Sequence, residues 1–178
     1  MTEASVFYDV AQMVLDCVCG ELGDTCPCRA YVSPGEPPID CCTDDCSGVS
    51  GQLTVHIEDI FPSDEFPLPV TTFEPCKART WVASVVITAA RCSPVMDEQG
   101  DLVPGEELSA NAQLMAEDSL AIMSALACCV VNTPPGTKRK RRVKIEGTRP
   151  GLSDGGCSFV EVRVLVDIGP VCTCSEVS

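Results

Sequence analysis

The stretch RTWVASVVITAARC, residues 79–92, has apolar side chains in both of its alternating rows. Trp81, Ala83, Val85 and Ile87 fall in one row, and Val82, Val86 and Ala90 in the other. Successive side chains of a strand point to opposite faces, so a strand with one wet face alternates apolar and polar residues. This one does not alternate. It predicts a central strand covered on both sides, and therefore a sheet built around it.

Four further strand candidates accompany that centre. Residues 52–60 alternate Leu53, Val55 and Ile57 with Thr54, His56 and Glu58, the pattern of a half-buried strand. RAYVS, residues 29–33, is a shorter candidate. SFVEVRVLVDI, residues 158–168, sets Val160, Val162, Val164 and Val166 against Glu161, Arg163 and Asp167. VKIEG, residues 143–147, is expected to pair with it through the turn GTRPGLSDGG.

Two segments carry helical spacing instead. In residues 3–19, Val6, Val10, Met13, Val14 and Cys17 form one stripe, with Thr2 as N-cap, Glu3 at the positive dipole end and Gly20 and Gly23 as the stop. In residues 109–131 the stripe is Ala112, Met115, Ser119, Ile122, Leu126 and Cys129, flanked by Leu120 and Met123. Ser109 is the expected N-cap, and NTPPG at 132–136 closes this helix.

Helix, strands, helix and two strands is the order of an α+β fold: a largely antiparallel sheet with two main helices packed on it and long extended loops. A single domain over 1–178 accommodates it. The connections 34–50, 61–78 and 93–108 exceed the roughly 12–15 residues beyond which structureless loops are uncommon in compact domains, and 132–142 is also long for a connection. Pro62, Pro67, Pro69 and Pro75 stiffen the second into an arm. Such projections suit a subunit that embraces its neighbours.

A hydrophobic fraction of 45% supplies a core, which excludes a disordered acidic tail. The formal charge of −14 disfavours DNA binding over the general surface. No apolar run reaches the roughly 18 residues of a membrane span. The opening MTEASVFYDVAQMV lacks a basic segment ahead of an apolar one, so the expectation is a soluble protein folded in a reducing cytoplasm.

Fourteen cysteines sit uneasily with that expectation. Cys92, Cys128 and Cys157 fall inside apolar elements and are expected to be free, small hydrophobes. The loop cysteines leave three alternatives. A closed zinc site would draw on Cys26, Cys28, Cys41 or Cys42, and Cys46, although the chain has no C-x2-C knuckle. Disulfides formed in an oxidising medium are the second alternative, and inert thiols the third.

Chemistry for an enzyme is sparse. His56, the one histidine, is expected on the solvated face of its strand, and no local motif supplies a catalytic partner. No phosphate-cradling or dinucleotide glycine motif, zinc-protease motif or nucleophile elbow occurs. No catalytic residue, metal ligand or cofactor is assigned.

The charge distribution is uneven. KRKRRVK, residues 138–144, holds Lys138, Arg139, Lys140, Arg141, Arg142 and Lys144, six of the twelve basic residues. Without those six charges the formal charge of −14 becomes −20. The run lies in a basic loop, 134–144, that leads from PPG into a strand, and no aromatic residue interleaves it to stack bases. These six residues are the candidate partner-docking group, meeting an acidic neighbour or phosphates, with a solvated arm that needs no partner as the alternative.

The order of these segments, from the opening helix through RTWVASVVITAARCSPVMDEQGDLVPG and ANAQLMAEDSLAIMSALACCVV to the basic loop and last strands, covers most of the chain. It resembles the small tail-terminator and head-to-tail connector proteins of long-tailed bacteriophages. The resemblance implies a subunit of a hexameric ring in the virion neck, made in the host cytoplasm. Such a ring caps the tail tube and joins the tube protein below to a connector or stopper protein above. DNA passes through its lumen without sequence-specific binding. It also implies no catalytic residue, no cofactor and no membrane. Two other classes remain: a cysteine-rich zinc or redox-sensitive binding module, and a nucleic-acid-binding regulator using the basic run.

Overall fold

The computed structural model describes residues 4–41, 49–71, 80–93, 102–132, 140–152 and 156–170. Helix α1, Ala4–Leu22, buries Val10, Ala11, Val14, Leu15, Val18 and Leu22 along one side. It runs through Gly20 and stops at Gly23, whose φ of +56° is the left-handed conformation that ends helices. Thr2 and Glu3, the expected cap and first-turn acid, lie outside the described residues.

Strand β1, Pro27–Val32, pairs parallel with β2, Val49–Ser63, which pairs antiparallel with β3, Thr80–Cys92. After helix α2, Gly105–Ser124, come β4, Val143–Leu152, and β5, Cys157–Gly169, both antiparallel to their neighbours. The order is β1-β2-β3-β5-β4, so β3 occupies the middle of the sheet. Every residue from Val82 to Ala90 is buried, as a strand with two apolar rows requires. Gly51 is needed beside it: its φ is +129°, and a Cβ there would stand 2.6 Å from the Ala90 carbonyl oxygen. The fold is α+β, as its patterning predicts.

Both helices pack on one face of the sheet, α1 against β1 and β2, and α2 against β5. Leu53, Val55, Ala83, Val85, Ile87, Val160, Val162 and Val164 meet the helices there, all fully or nearly fully buried. Burying a Leu, Val or Ile side chain contributes about 1.5–3 kcal/mol.

Several boundaries differ from those expected. Helix α2 begins at Gly105, not Ser109, because Pro104 sits at its cap and receives hydrogen bonds from Glu107 N and Leu108 N. Glu106 and Glu107 favour the positive end of the dipole. Ser109 instead donates back to the Gly105 carbonyl at 2.8 Å. The expected loop 93–108 is shorter by that margin. Strand β4 extends to Leu152, well into the expected turn, and β2 continues to Ser63 into the expected arm. A tight turn follows β2, with Leu68 N donating to Glu65 O at 2.8 Å and Ser63 Oγ to Leu68 O at 2.7 Å.

The buried stripe of α2 is also rotated. It consists of Met115, Asp118 and Ile122, and continues as Ala125, Leu126 and Val130 through a π turn, Ala125–Cys129, and a 3-10 turn, Val130–Asn132. Ala112, expected on the stripe, is exposed, and Leu120 is 71% exposed. Asp118 sets the rotation, because Arg91 at the end of β3 draws it inward. Arg91 donates from Nε and Nη2 to the two carboxylate oxygens of Asp118, each at 2.8 Å. Helix α2 and the turns after it make a helical run, Gly105–Asn132, long and apolar enough to cross a membrane; its apolar side lies against the sheet.

Candidate functional site

The basic run is partly tied down within its own chain. Lys138 and Arg139 lie outside the described residues, and Lys140 is exposed. Arg141 N donates to Val131 O at 3.0 Å, and Asp167 N donates to Arg142 O at 2.9 Å, which fixes the backbone leading into β4. The Arg142 guanidinium donates from Nε to Asp167 Oδ2 at 2.8 Å and lies over the Phe66 ring, 5.1 Å from its centroid. Lys144 stands 3.5 Å from Glu146 in a largely exposed pair, a contact contributing roughly 0–1 kcal/mol.

Asp167 is the hub of this corner. Burial would raise the pKa of its carboxyl, but hydrogen bonds from Thr80 Oγ1, Arg142 and Gly169 N outweigh burial and hold it below the ordinary carboxylate value. Desolvation lowers the Arg141 pKa, with the Asp167 charge opposing; a guanidinium remains charged regardless. Of the docking candidates, Arg142 is paired with the buried Asp167 and Lys144 with the largely exposed Glu146, while Lys140 faces solvent.

The sheet face away from the helices is less open than the sequence implies. Residues 34–41 turn over it. Gln52 donates from Nε2 to Pro38 O at 3.0 Å and to Tyr31 Oη at 3.1 Å, and accepts from Asp40 N at 3.0 Å. Ile39 and Cys41 pack against Ala90, Cys157 and Phe159. Further along, Glu58 accepts from Ser84 Oγ at 3.1 Å and from Arg163 Nη2 at 2.7 Å.

His56 belongs to this face and corrects the expectation of a solvated side chain. It is only 7% exposed, and its Nδ1 has no hydrogen-bond partner among the described residues. Desolvation lowers its pKa from the ordinary 6.5, outweighing the opposing charges of Glu58, Glu161 and Glu36. The folded protein thus binds the proton less readily than the unfolded chain. The stability this contributes is present above about pH 6.5 and is lost as pH falls through the folded-state value. Denaturant titrations between pH 7.5 and about 5 are expected to show that fall, and His56→Gln to flatten it.

The cysteines depart most from expectation. Cys17 bonds Cys129, Cys19 bonds Cys26 and Cys41 bonds Cys157, with Cα atoms 5.7, 5.2 and 5.9 Å apart, within the usual range. Cys28 and Cys92 are disulfide-bonded as well. Cys92 and Cys157 are therefore not the free core thiols expected. Cys157 is reached by Cys41 from the segment that covers this face, a contact that single-strand patterning does not reveal. Cys128 carries a free thiol but is exposed, because the wider π turn carries it outward as Cys129 reaches Cys17.

The proposed zinc set is likewise not gathered. Cys26, Cys28 and Cys41 are in disulfides, and Cys42 and Cys46 lie outside the described residues. Among the described residues, no group of three or more His, Cys, Asp or Glu is arranged to hold a metal ion. Sequence reasoning missed Arg91, Asp118 and the Asp167 hub. The signal was present, since Arg91 interrupts an apolar strand and Asp118 falls at helical spacing between Met115 and Ile122. No protein-family model matches the chain, and no curated protein shows significant sequence similarity to it.

Proposed function

We propose that the protein is a structural virion subunit of the head–tail junction of a long-tailed bacteriophage. It assembles as a ring, hexameric by the resemblance, that caps the tail tube and joins the tube protein below to a connector or stopper protein above. DNA crosses the lumen without sequence-specific contacts, and the role requires neither catalysis nor a cofactor. The subunit is made in the host cytoplasm and resides in the virion neck.

The observation that carries this reading is the open sheet. Strands β1 and β4 end it on either side with outer edges unpaired among the described residues, while both helices occupy one face. Such a body has two lateral ends available to neighbours, and closing a ring covers both at once. Negative-stain electron microscopy of the purified protein is expected to show annular particles with a central channel. Isolated compact particles at every concentration and also beside tail-tube ends, or turnover of a substrate, would overturn the reading.

The disulfides favour a second reading, a redox-sensitive binding module, since eight described cysteines are paired and Cys128 presents a thiol beside one of them. The two readings separate on reduction. A redox module gains or loses a partner when its bridges open, whereas a ring subunit keeps its partners and only loses stability.

A further inference from the structure

The lateral ends carry opposite charge. Eight basic residues lie in the described part of the chain, and five of them, Lys140, Arg141, Arg142, Lys144 and Arg149, are on β4 or lead into it. At the other end α1 covers β1 and β2. Asp9, Asp16 and Asp24, on α1 and the turn after it, are all exposed, while Glu21 accepts from Ser124 Oγ of α2 at 2.7 Å. The one basic residue of β1, Arg29, is paired with Asp40 at 3.1 Å, which leaves that end acidic.

Resting on the ring reading, we propose that the basic β4 edge of one copy docks on the acidic outer face of α1 in the next copy. The basic patch lies on β4 at one end of the strand order, and α1 packs mainly over β1 and β2 at the other, so the sheet keeps the two patches of one molecule apart. A two-fold dimer joining either end to itself would set like charges face to face. Head-to-tail contact matches them, and a repeated head-to-tail contact generates a ring when its rotation closes.

The acidic face is ordered to receive cations. Tyr8 is 56% exposed and donates from Oη to Gln12 Oε1 at 3.2 Å, and Gln12 donates to Asp16 Oδ1 at 2.8 Å. This row holds a carboxylate and an aromatic ring on one exposed stripe, a surface suited to Lys or Arg. On the β4 side, Pro150 has no N–H to donate, and the register shifts between Ile145 and Gly147. The edge is therefore poor for strand addition, and its side chains make the contact. Arg142 is committed to the buried Asp167, whereas the Lys144–Glu146 pair at 3.5 Å is solvent-exposed and weak, so Lys140, Lys144 and Arg149 are the docking charges.

The test is a charge swap read by native mass spectrometry and sedimentation at low ionic strength, with circular dichroism confirming the fold. One variant carries Lys140→Glu, Lys144→Glu and Arg149→Glu. The other carries Asp9→Lys and Asp16→Lys. Each alone is expected to lose the assembled species, because the first makes both ends acidic and the second cancels the charge of the acidic end. Mixing them is expected to restore assembly in alternating copies, and raised salt to weaken the wild-type assembly. Rings formed by either variant alone, or no recovery on mixing, would overturn this interface and leave the ring reading in place. A wild-type chain that never self-associates would remove both. Preferential binding of a short DNA duplex by the wild type, abolished by the β4 variant, would assign the basic edge to nucleic acid instead and overturn the docking.

Discussion

Replacing Asp118 with alanine is expected to lower the unfolding free energy by about 3–5 kcal/mol. Asp118 is 1% exposed and Arg91 3%, so the pair is held out of water. Two parallel hydrogen bonds join the guanidinium to the carboxylate, and Arg91 Nη2 also donates to Thr25 O at 2.8 Å. One ion pair thus ties the end of β3 to the middle of α2 and to the turn after α1. Removing the acid leaves a buried cation without its counter-charge, which costs more than the bond itself contributed. Arg91 Nη1 already lacks a partner among the described residues, so the site has no spare acceptor to compensate. The double variant Arg91→Met, Asp118→Leu is expected to recover most of the loss, because an apolar pair of similar volume needs no counter-charge. Urea unfolding with an unchanged slope measures both variants. A loss under about 1 kcal/mol for Asp118→Ala would mean that this pair does not set the helix rotation.

The second large effect is covalent. The double variant Cys41→Ala, Cys157→Ala is expected to cost about 2–5 kcal/mol, a fall of roughly 2–4 °C in melting temperature for each kcal/mol in a chain of this size. The bridge joins residues 116 apart in sequence, and both sulfurs are buried beside Ala90. It clamps residues 34–41 over the far face of the sheet, where Gln52 makes three hydrogen bonds that depend on that segment and on Tyr31. Cys17–Cys129, with a separation of 112, similarly fastens α1 to the π turn after α2. Each bridge shortens the loop the other closes, so the separate costs will not add. Calorimetry of the oxidised protein with and without reductant checks this: a lower transition is expected, and an unmoved one would show that the bridges do not stabilise the fold.

The sheet was legible because its signal is local. Two apolar rows in residues 79–92 place β3 at the centre, and the valines of β5 each fall on the helix-facing side. Charge pairs were legible only in part. Arg91 in an apolar strand and Asp118 on an apolar stripe each break a local pattern, but nothing in the linear sequence says that the two breaks cancel. His56 was misread for a related reason. Alternation fixes which face a side chain takes, not what covers that face, and residues 34–41 fold back over it from a segment with no periodicity of its own. Disulfide pairing was the least legible feature, since many connectivities suit fourteen cysteines and only the fold selects among them. The basic run was recognised as a group, yet the structure commits Arg142 to Asp167 and Phe66.

Incomplete lateral ends are the centre of this account, and native mass spectrometry of the oxidised protein over a concentration series tests them most directly. The account predicts one closed oligomer of fixed order, with no open-ended ladder of larger species. A chain that stays monomeric throughout the series, and also when offered the ends of phage tail tubes, would contradict it.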